Sequence, residues 1–201
     1  MNYILASQSP RRIELMSYLV KEFDIQVASI DEEAITQRLL KNETFPYTTA
    51  IASRLVETLA QEKARQIDCS SAVVIGSDTL VYSPTQGMLG KPKDASEAEK
   101  MLVELSKERS HTVHTGVCIF YKDQCLTFST IARVFFQPYN SLQHQLILDY
   151  IQSGSPFDKA GGYSIGDKGS LFIQKIEGDY YTILGFPISE VYRQLKQANL
   201  L

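Results

Sequence analysis

Apolar positions recur along this chain with two different periods, and the switches between them mark out its elements. Tyr3-Ile4-Leu5-Ala6 reads as a short strand, and Ile13, Leu15, Met16, Leu19 and Val20 follow at helical spacing. Ser9 stands where a helix N-cap belongs, and Pro10 suits the first helical position, where its missing N–H costs nothing. Asp24 to Ile30 alternates like a half-buried strand before the acidic stretch Asp31-Glu32-Glu33. Lys41 to Tyr47 predicts a loop, after which Thr48 or Thr49 caps a long helix carrying Ile51, Leu55, Leu59 and Ile67 on one face. Ala72-Val73-Val74-Ile75-Gly76 is a continuous apolar run of the kind found inside a sheet covered on both faces. Leu80 to Tyr82 continues it, and Ser83 to Gly87 turns the chain.

In the second half Asp94 and Glu97 form a capping box for a helix running to Lys107. Two longer strands follow, Thr112 to Tyr121 and Gln124 to Gln137, joined by a tight turn at Lys122-Asp123. A helix begins near Asn140 and ends at Gly154, where a glycine-rich stretch runs to Gly169. Two short strands around Leu171-Phe172-Ile173 and Tyr181-Thr182-Ile183 precede a closing helix after Pro187. Early alternation of strands with helices and later antiparallel hairpins predict an α/β fold with a mixed sheet. No internal repeat or linker interrupts the pattern, so residues 1–201 are expected to form a single domain.

Composition narrows the function classes. At 201 residues, 44% hydrophobic and 21% charged, the chain is long enough to bury a core. No apolar run reaches the roughly eighteen residues that a membrane helix needs, and no signal-peptide pattern opens the chain, so a cytoplasmic protein with no membrane partner is expected. A net charge of −3 argues against a nucleic-acid surface and leaves any attraction for phosphate to local clusters. The three cysteines (Cys69, Cys118 and Cys125) lack C-x-x-C spacing. Cys118 and Cys125 flank the hairpin turn and could face each other, but reduced packing thiols are the expectation.

Several polar residues stand where chemistry could use them. Ser7-Gln8-Ser9-Pro10-Arg11-Arg12 places two hydroxyls and two guanidiniums at a helix start, where free N–H groups and the helix dipole favour an anion. The same residues also read as an ordinary cap followed by two solvated arginines. Asp78 follows the apolar run, as Ser7 follows the first strand, and ligands in open α/β sheets bind beyond strand ends. There it could hold a cation, take a proton from water, or merely end the strand in an Asx-turn. Lys63 interrupts the apolar face of the long helix, either snorkelling or facing a cleft. Lys91 lies in Gly90-Lys91-Pro92, which lacks P-loop spacing but could still position a charge. Asp158-Lys159-Ala160-Gly161-Gly162 reads as an ion-paired turn or as a close backbone approach to a ligand. Together Arg11, Arg12, Lys63, Lys91 and Lys159 could meet Glu32 and Asp78 around a polyphosphate with a bridging Mg²⁺.

These segments in this order resemble the Maf family of nucleoside triphosphate pyrophosphatases. The resemblance covers nearly the whole chain: Leu5 to Arg12, Ile30-Asp31-Glu32, Ala60 to Ala64, Gly76-Ser77-Asp78-Thr79, Gly90-Lys91-Pro92, Thr115-Gly116-Val117, Asp158 to Gly161 and Gly178 to Tyr181. It implies hydrolysis between the α and β phosphates, a divalent cation (Mg²⁺ or Mn²⁺), and commonly a homodimer. It also implies an elongated mixed sheet flanked by helices, similar to inosine triphosphatases, with a central cleft. By the same resemblance Asp78 is the proton acceptor, and Glu32 with Asp78 lies near the metal. Ser7, Ser9, Arg11, Arg12, Lys63, Lys91 and Lys159 face the phosphates. Arg12 and Thr79 match positions linked to substrate choice, and their form looks like the branch acting on dTTP and UTP.

The chain departs from that branch in one stretch. Where the family reads Ala-Gly-Ala-Tyr-Gly-Ile-Gln-Gly, this chain has Ala160-Gly161-Gly162-Tyr163-Ser164-Ile165-Gly166-Asp167, and Ser155 replaces the usual Glu before Pro156. Gly166 removes a side chain that could hydrogen-bond a base, which puts base choice at that position. The alternative functional reading is a nucleotide-binding regulator of cell division or septum formation with little catalysis.

Overall fold

Strand β1 (Asn2–Leu5) lies between two parallel neighbours, β2 (Asp24–Ile25) and β3 (Ala72–Ser83). Beyond β3 the sheet turns antiparallel through β5 (Ser110–Tyr121), β6 (Gln124–Phe136) and β7 (Ile173–Glu177). A short β4 (Gly87–Leu89) pairs with the far end of β3. The result is the expected mixed sheet, seven-stranded in the order β2-β1-β3-β5-β6-β7 with β4 off that path. These relations come from a computed structural model that describes residues 1–68, 71–122 and 124–201. Cys69 and Asp123, the latter half of the expected hairpin turn, lie outside the described residues.

The helices are α1 (Pro10–Ser17), α2 (Glu32–Leu40), α3 (Thr49–Arg65), α4 (Ala95–Glu108), α5 (Ser141–Gln152), α6 (Tyr180–Leu184) and α7 (Ile188–Gln197). Side-chain caps start several of them. Thr48 Oγ1 accepts from Ile51 N at 3.3 Å, and Asn140 Oδ1 accepts from Gln143 N at 2.9 Å. Asp94 Oδ1 accepts from Glu97 N at 2.8 Å, while the Glu97 carboxylate reaches back to Lys93 N at 2.7 Å. That reciprocal pair is the expected capping box, shifted by one residue on its return arm.

Period-two alternation on β3 sorts its residues between layers. Val73 and Ile75 pack with Leu5, Met16, Phe186 and Leu195 on the α1 and α7 side. Val74 packs with Ile4, Ala60 and Ala64 on the α3 side. Farther along, Leu80 and Tyr82 meet Leu55, Val56 and Leu59 of α3, and Val81 joins Leu102, Leu105, Phe136 and Ile147. Each Leu, Ile or Phe so buried contributes about 1.5–3 kcal/mol. The 12-residue β3 and β5 and the 13-residue β6 serve both ends of the molecule, spanning about 40 Å at ~3.3 Å per residue.

One edge of β3 is interrupted. Pairing with β1 ends at Leu5–Ile75, extended by Ala6 N to Ile75 O at 2.9 Å, and pairing with β4 begins only at Val81–Leu89. Among the described strands, residues 76–80 are paired only to β5. Across the same stretch α3 lies directly against the sheet. A Cβ on Gly76 would overlap the Ala60 carbonyl, and one on Gly116 would overlap the Val56 carbonyl.

Four local expectations are corrected. The alternating stretch Asp24 to Ile30 pairs only at Asp24–Ile25, and α2 follows, with Asp31 Oδ1 accepting from Ala34 N at 2.9 Å. The strand expected at Leu171–Ile173 is a 3₁₀ turn (Lys168–Phe172) followed by β7. The strand expected at Tyr181–Ile183 is helix α6, because Asp179 caps Tyr181 N and Thr182 N at 3.2 and 2.9 Å. Gly178 and Gly185 bracket it at positive φ, so capping chemistry overrides the β-branched residues. Finally, Cys118 and Cys125 stand diagonally across β5 and β6 with Cα atoms 6.3 Å apart and are joined as a disulfide. Diagonal neighbours on one face of an antiparallel pair bring their side chains within reach, which spacing alone does not reveal.

The contact at Gly116 makes a direct prediction. Gly116→Ala must push α3 off the sheet and is expected to cost about 1–3 kcal/mol, read as a lowered urea midpoint at unchanged slope. An unchanged midpoint would mean that α3 does not approach the sheet this closely.

Candidate active site

The interrupted edge of β3 is also the floor of a cleft of about 510 Å³. Ser9, Arg11, Arg12, Glu32, Lys63, Asp78, Thr79, Lys91 and Lys159 all line it, drawn from separate parts of the chain. Five cations (Arg11, Arg12, Lys63, Lys91 and Lys159) face three carboxylates (Glu32, Asp78 and Asp158), an excess of two positive charges. Leu55, Leu59, Leu80, Met88 and Leu89 add an apolar wall. A polyanion with an apolar body fits such a lining.

Asp78 lies inside β3 rather than at its end, so the strand-end expectation is corrected for this residue. It is β1 that stops, leaving Asp78 on an uncovered stretch of its neighbour. Asp78 shares a face with Gly76, two residues earlier, and that face meets α3. Lys63 sits one helical turn beyond Ala60, so the close approach at Gly76 delivers its ammonium to the carboxylate. Lys63 Nζ donates to Asp78 Oδ1 at 2.5 Å and pairs with Glu32 Oε1 at 2.7 Å. Asp78 is only 8% exposed. Burial pushes its carboxyl above the ordinary carboxylate range, and the nearby charges of Lys63 and Arg12 oppose that rise without cancelling it.

The opposite face of β3 belongs to Arg12. Both arginines line the cleft, but successive helical residues diverge by about 100°, and Arg12 spends most of its donors inside the protein. Its Nε donates to Gly185 O at 2.8 Å, Nη1 to Ser77 O at 2.9 Å and to Ser7 Oγ at 3.3 Å, and Nη2 to Thr79 Oγ1 at 3.0 Å. Thr79 Oγ1 is also 2.9 Å from Thr115 Oγ1, whose hydroxyl donates to Thr182 O at 2.7 Å. Arg12 therefore ties α1, β3 and α6 together, with a cation at the C-terminal end of α6, where it is favoured.

Two expected site residues lie off the cleft lining. Ser7 is buried behind α1, where its Oγ accepts from Arg12 and from Ser9 N at 3.3 Å. Gly166 is exposed at the rim, where a Cβ would sit 3.4 Å from Leu184 Cδ2 and 3.6 Å from Ser164 Oγ. Ser9 occupies the N-cap position of α1, but its hydroxyl caps no backbone N–H, so the expected side-chain cap is corrected. The α1 start is left open toward the cleft.

On the far wall, Gly161 N donates to Gly90 O at 2.9 Å and so ties the Lys91 segment to the Lys159 turn. Gly161 adopts φ 68°, and a Cβ there would strike Val81, which is why glycine is needed. Lys159 is buried and donates to Ser155 O at 2.6 Å and to Asp158 Oδ1 at 2.5 Å. Sequence reasoning passed over Ser164 and Gly185, both of which line the cleft. Gly185 was legible as a helix-ending glycine before Phe186-Pro187, had α6 been read as a helix. Ser164 was marked only by standing where the family stretch has Gly.

Two carboxylates, Glu32 and Asp78, converge on one cationic atom, Lys63 Nζ. Among the described residues no cluster of three or more His, Cys, Asp and Glu side chains is arranged to hold a metal. A pair of carboxylates does fit Mg²⁺, which is commonly held by one or two of them together with substrate phosphates.

A model of the Maf-like protein family matches residues 2–198. The dTTP/UTP pyrophosphatase of Aquifex aeolicus is 37% identical over 203 residues, covering 100% of this chain and 97% of the relative. That of Thermosipho africanus is 42% identical, covering 96% of this chain and 91% of the relative. That of Bacillus cereus is 40% identical, covering 98% and 90%. The structure of the Staphylococcus aureus Ham1 protein matches 98% of this chain and 100% of its own at a TM-score of 0.50 and 12% identity, a likeness of fold. With the family pattern running from end to end and relatives matched over nearly their full lengths, the chain belongs to the Maf family.

Proposed function

We propose that this protein is a nucleoside triphosphate pyrophosphatase acting on dTTP, UTP or a related nucleotide, canonical or modified. It cleaves the α–β phosphoanhydride to release the monophosphate and pyrophosphate. The observation that carries this reading is the buried, raised Asp78 carboxylate held by Lys63 in a cleft with excess positive charge. The names of the similar proteins support the substrate class. A regulator that merely bound nucleotide would have no use for a costly buried carboxylate beside its phosphate site.

In this mechanism Arg11, Lys63, Lys91 and Lys159 bind the triphosphate oxygens, and the open α1 start adds its N–H groups. Asp78 orients a water and accepts its proton as the water oxygen attacks the α phosphorus. The P–O bond to the β phosphate breaks, and pyrophosphate leaves with the bond's electron pair. A base with a raised pKa holds that proton more readily than an ordinary carboxylate. Glu32 and Asp78 would hold a divalent cation, Mg²⁺ or Mn²⁺, which neutralises phosphate charge when bound. Arg12 and Thr79 shape the wall from behind, with Gly166 at the rim. No helix among the described residues is long and apolar enough to cross a membrane. The family resemblance adds a homodimer, and the pattern and charge of the chain add single-domain, cytoplasmic subunits working on a small molecule rather than on nucleic acid.

Pyrophosphate release should be measured across canonical and modified nucleoside triphosphates with Mg²⁺ and with Mn²⁺. Release from dTTP or UTP is expected, and absence of release from every nucleotide would sink the reading. Asp78→Asn should cut turnover by a factor of at least ~100 while keeping the fold by circular dichroism. Near-normal turnover would remove Asp78 from its role as base.

The same variant tests the electrostatics. Because the folded pKa of Asp78 is raised, the folded state binds this proton more tightly than the unfolded chain does. The ionised carboxylate therefore costs stability at neutral pH. The cost fades as pH falls through the raised folded value and vanishes below the ordinary value near ~4. Asp78→Asn is expected to melt above wild type at about pH 7 and to lose that advantage toward about pH 3. A variant that melts lower at neutral pH would mean that the Lys63 pairing outweighs burial.

A further inference from the structure

Lys159 is held by an anion that does not itself line the cleft. The Lys159 side chain is only 9% exposed, and its Nζ faces Asp158 at 2.5 Å, Ser155 O at 2.6 Å and Asp167 Oδ2 at 3.5 Å. The two carboxylates are not equivalent. Asp158 is 71% exposed, with solvent to turn into. Asp167 is clamped: Oδ1 accepts from Gly169 N at 2.8 Å and from Tyr150 OH at 2.9 Å, and Oδ2 accepts from Ser155 Oγ at 2.8 Å. A carboxylate fixed by donors from three separate residues defines where its cationic partner can stand. An exposed carboxylate screened by solvent does so less.

Position 155 touches both partners of this pair. The Ser155 and Asp167 side chains touch at 2.8 Å. Position 155 also supplies the carbonyl that accepts from Lys159. An acidic side chain there would meet the same ammonium from the neighbouring direction.

We infer that Asp167 is the positioning residue for Lys159, its carboxylate tied back to the Lys159 turn through the Ser155 hydroxyl. This rests on Lys159 as a ligand of the substrate phosphates. Asp167 acts through Lys159 and does not touch substrate. Its removal leaves a nearly buried ammonium without its fixed counter-charge, free to follow Asp158 toward solvent.

The test compares KM and kcat for pyrophosphate release, together with calorimetric binding of a non-hydrolysable α,β-methylene triphosphate. Lys159→Ala should raise KM and Kd about tenfold or more. Asp167→Gly should raise both about fivefold, with kcat changed less than about twofold, since binding rather than the water-activating group is disturbed. Asp167→Asn, which keeps an Oδ1 acceptor for Gly169 and Tyr150 and sets an amide N–H where the Ser155 hydroxyl can accept instead of donate, lacks the charge; it should behave alike and melt close to wild type. The double variant Ser155→Glu/Asp167→Gly should return KM and Kd to within about twofold of wild type. A residue that merely caps the 168–172 turn could not be rescued in this way, because a glutamate at 155 does not restore that cap.

Wild-type KM in both Asp167 variants, or no recovery in the double variant, overturns the inference while leaving Lys159 as a ligand. An unchanged Lys159→Ala overturns the ligand reading and the inference together. Failure of wild type to bind or hydrolyse any triphosphate overturns the proposed function itself.

Discussion

The cleft exists because β3 loses its neighbour for five residues. From Gly76 to Leu80 the strand is held by β5 on one side and faces neither β1 nor β4 on the other. Unpaired backbone carbonyls are tolerated only when something else bonds them. Arg12 is that substitute at Ser77 O, and from the same planar group it also reaches Gly185 O, Ser7 and Thr79. A guanidinium has five N–H donors, and four are spent inside the protein, which leaves one for anything in the cleft. Lysine, a point charge without the fork, could not span those partners. The start of α1, the open edge of β3 and the end of α6 are thus set by one side chain.

Around that frame the charges are deliberately unbalanced. Asp78 is buried beside α3, which the glycine contacts at Gly76 and Gly116 bring close, and Lys63, Arg12 and Glu32 are its charged neighbours. Burial makes the carboxylate unstable as an anion and a better proton acceptor, so the property that suits it for chemistry weakens the fold at neutral pH. The excess of cations lies toward the opening and the far wall, where a triphosphate would supply the missing negative charge. Until it does, Lys159 relies on the clamped carboxylate of Asp167.

Much of this was legible in the chain, and for identifiable reasons. The apolar run at Val73–Ile75, the Asp94/Glu97 capping box and the Thr48 cap are local signals, and local signals survive tertiary context. The candidate residues were recognisable because charged side chains interrupt apolar patterns at Lys63 and follow one at Asp78. Errors fell where local propensity met a stronger neighbour. Tyr181-Thr182-Ile183 has strand residues but a cap at Asp179 and a C-terminal glycine, and the cap decided. Asp24 to Ile30 alternates correctly, yet only two residues find a partner strand.

By itself the sequence determined the residue types, the order of the elements and the collection of phosphate-seeking cations beside two carboxylates. It could do so because hydrophobic period, capping and charge are properties of short segments. Tertiary structure alone decided which way each side chain faces. Arg12 turned its donors inward, Ser7 went behind the helix, Cys118 found Cys125, and Asp167 reached Lys159 through Ser155. Each of these depends on strands and turns far apart in the chain meeting in one register, and no local pattern carries that information.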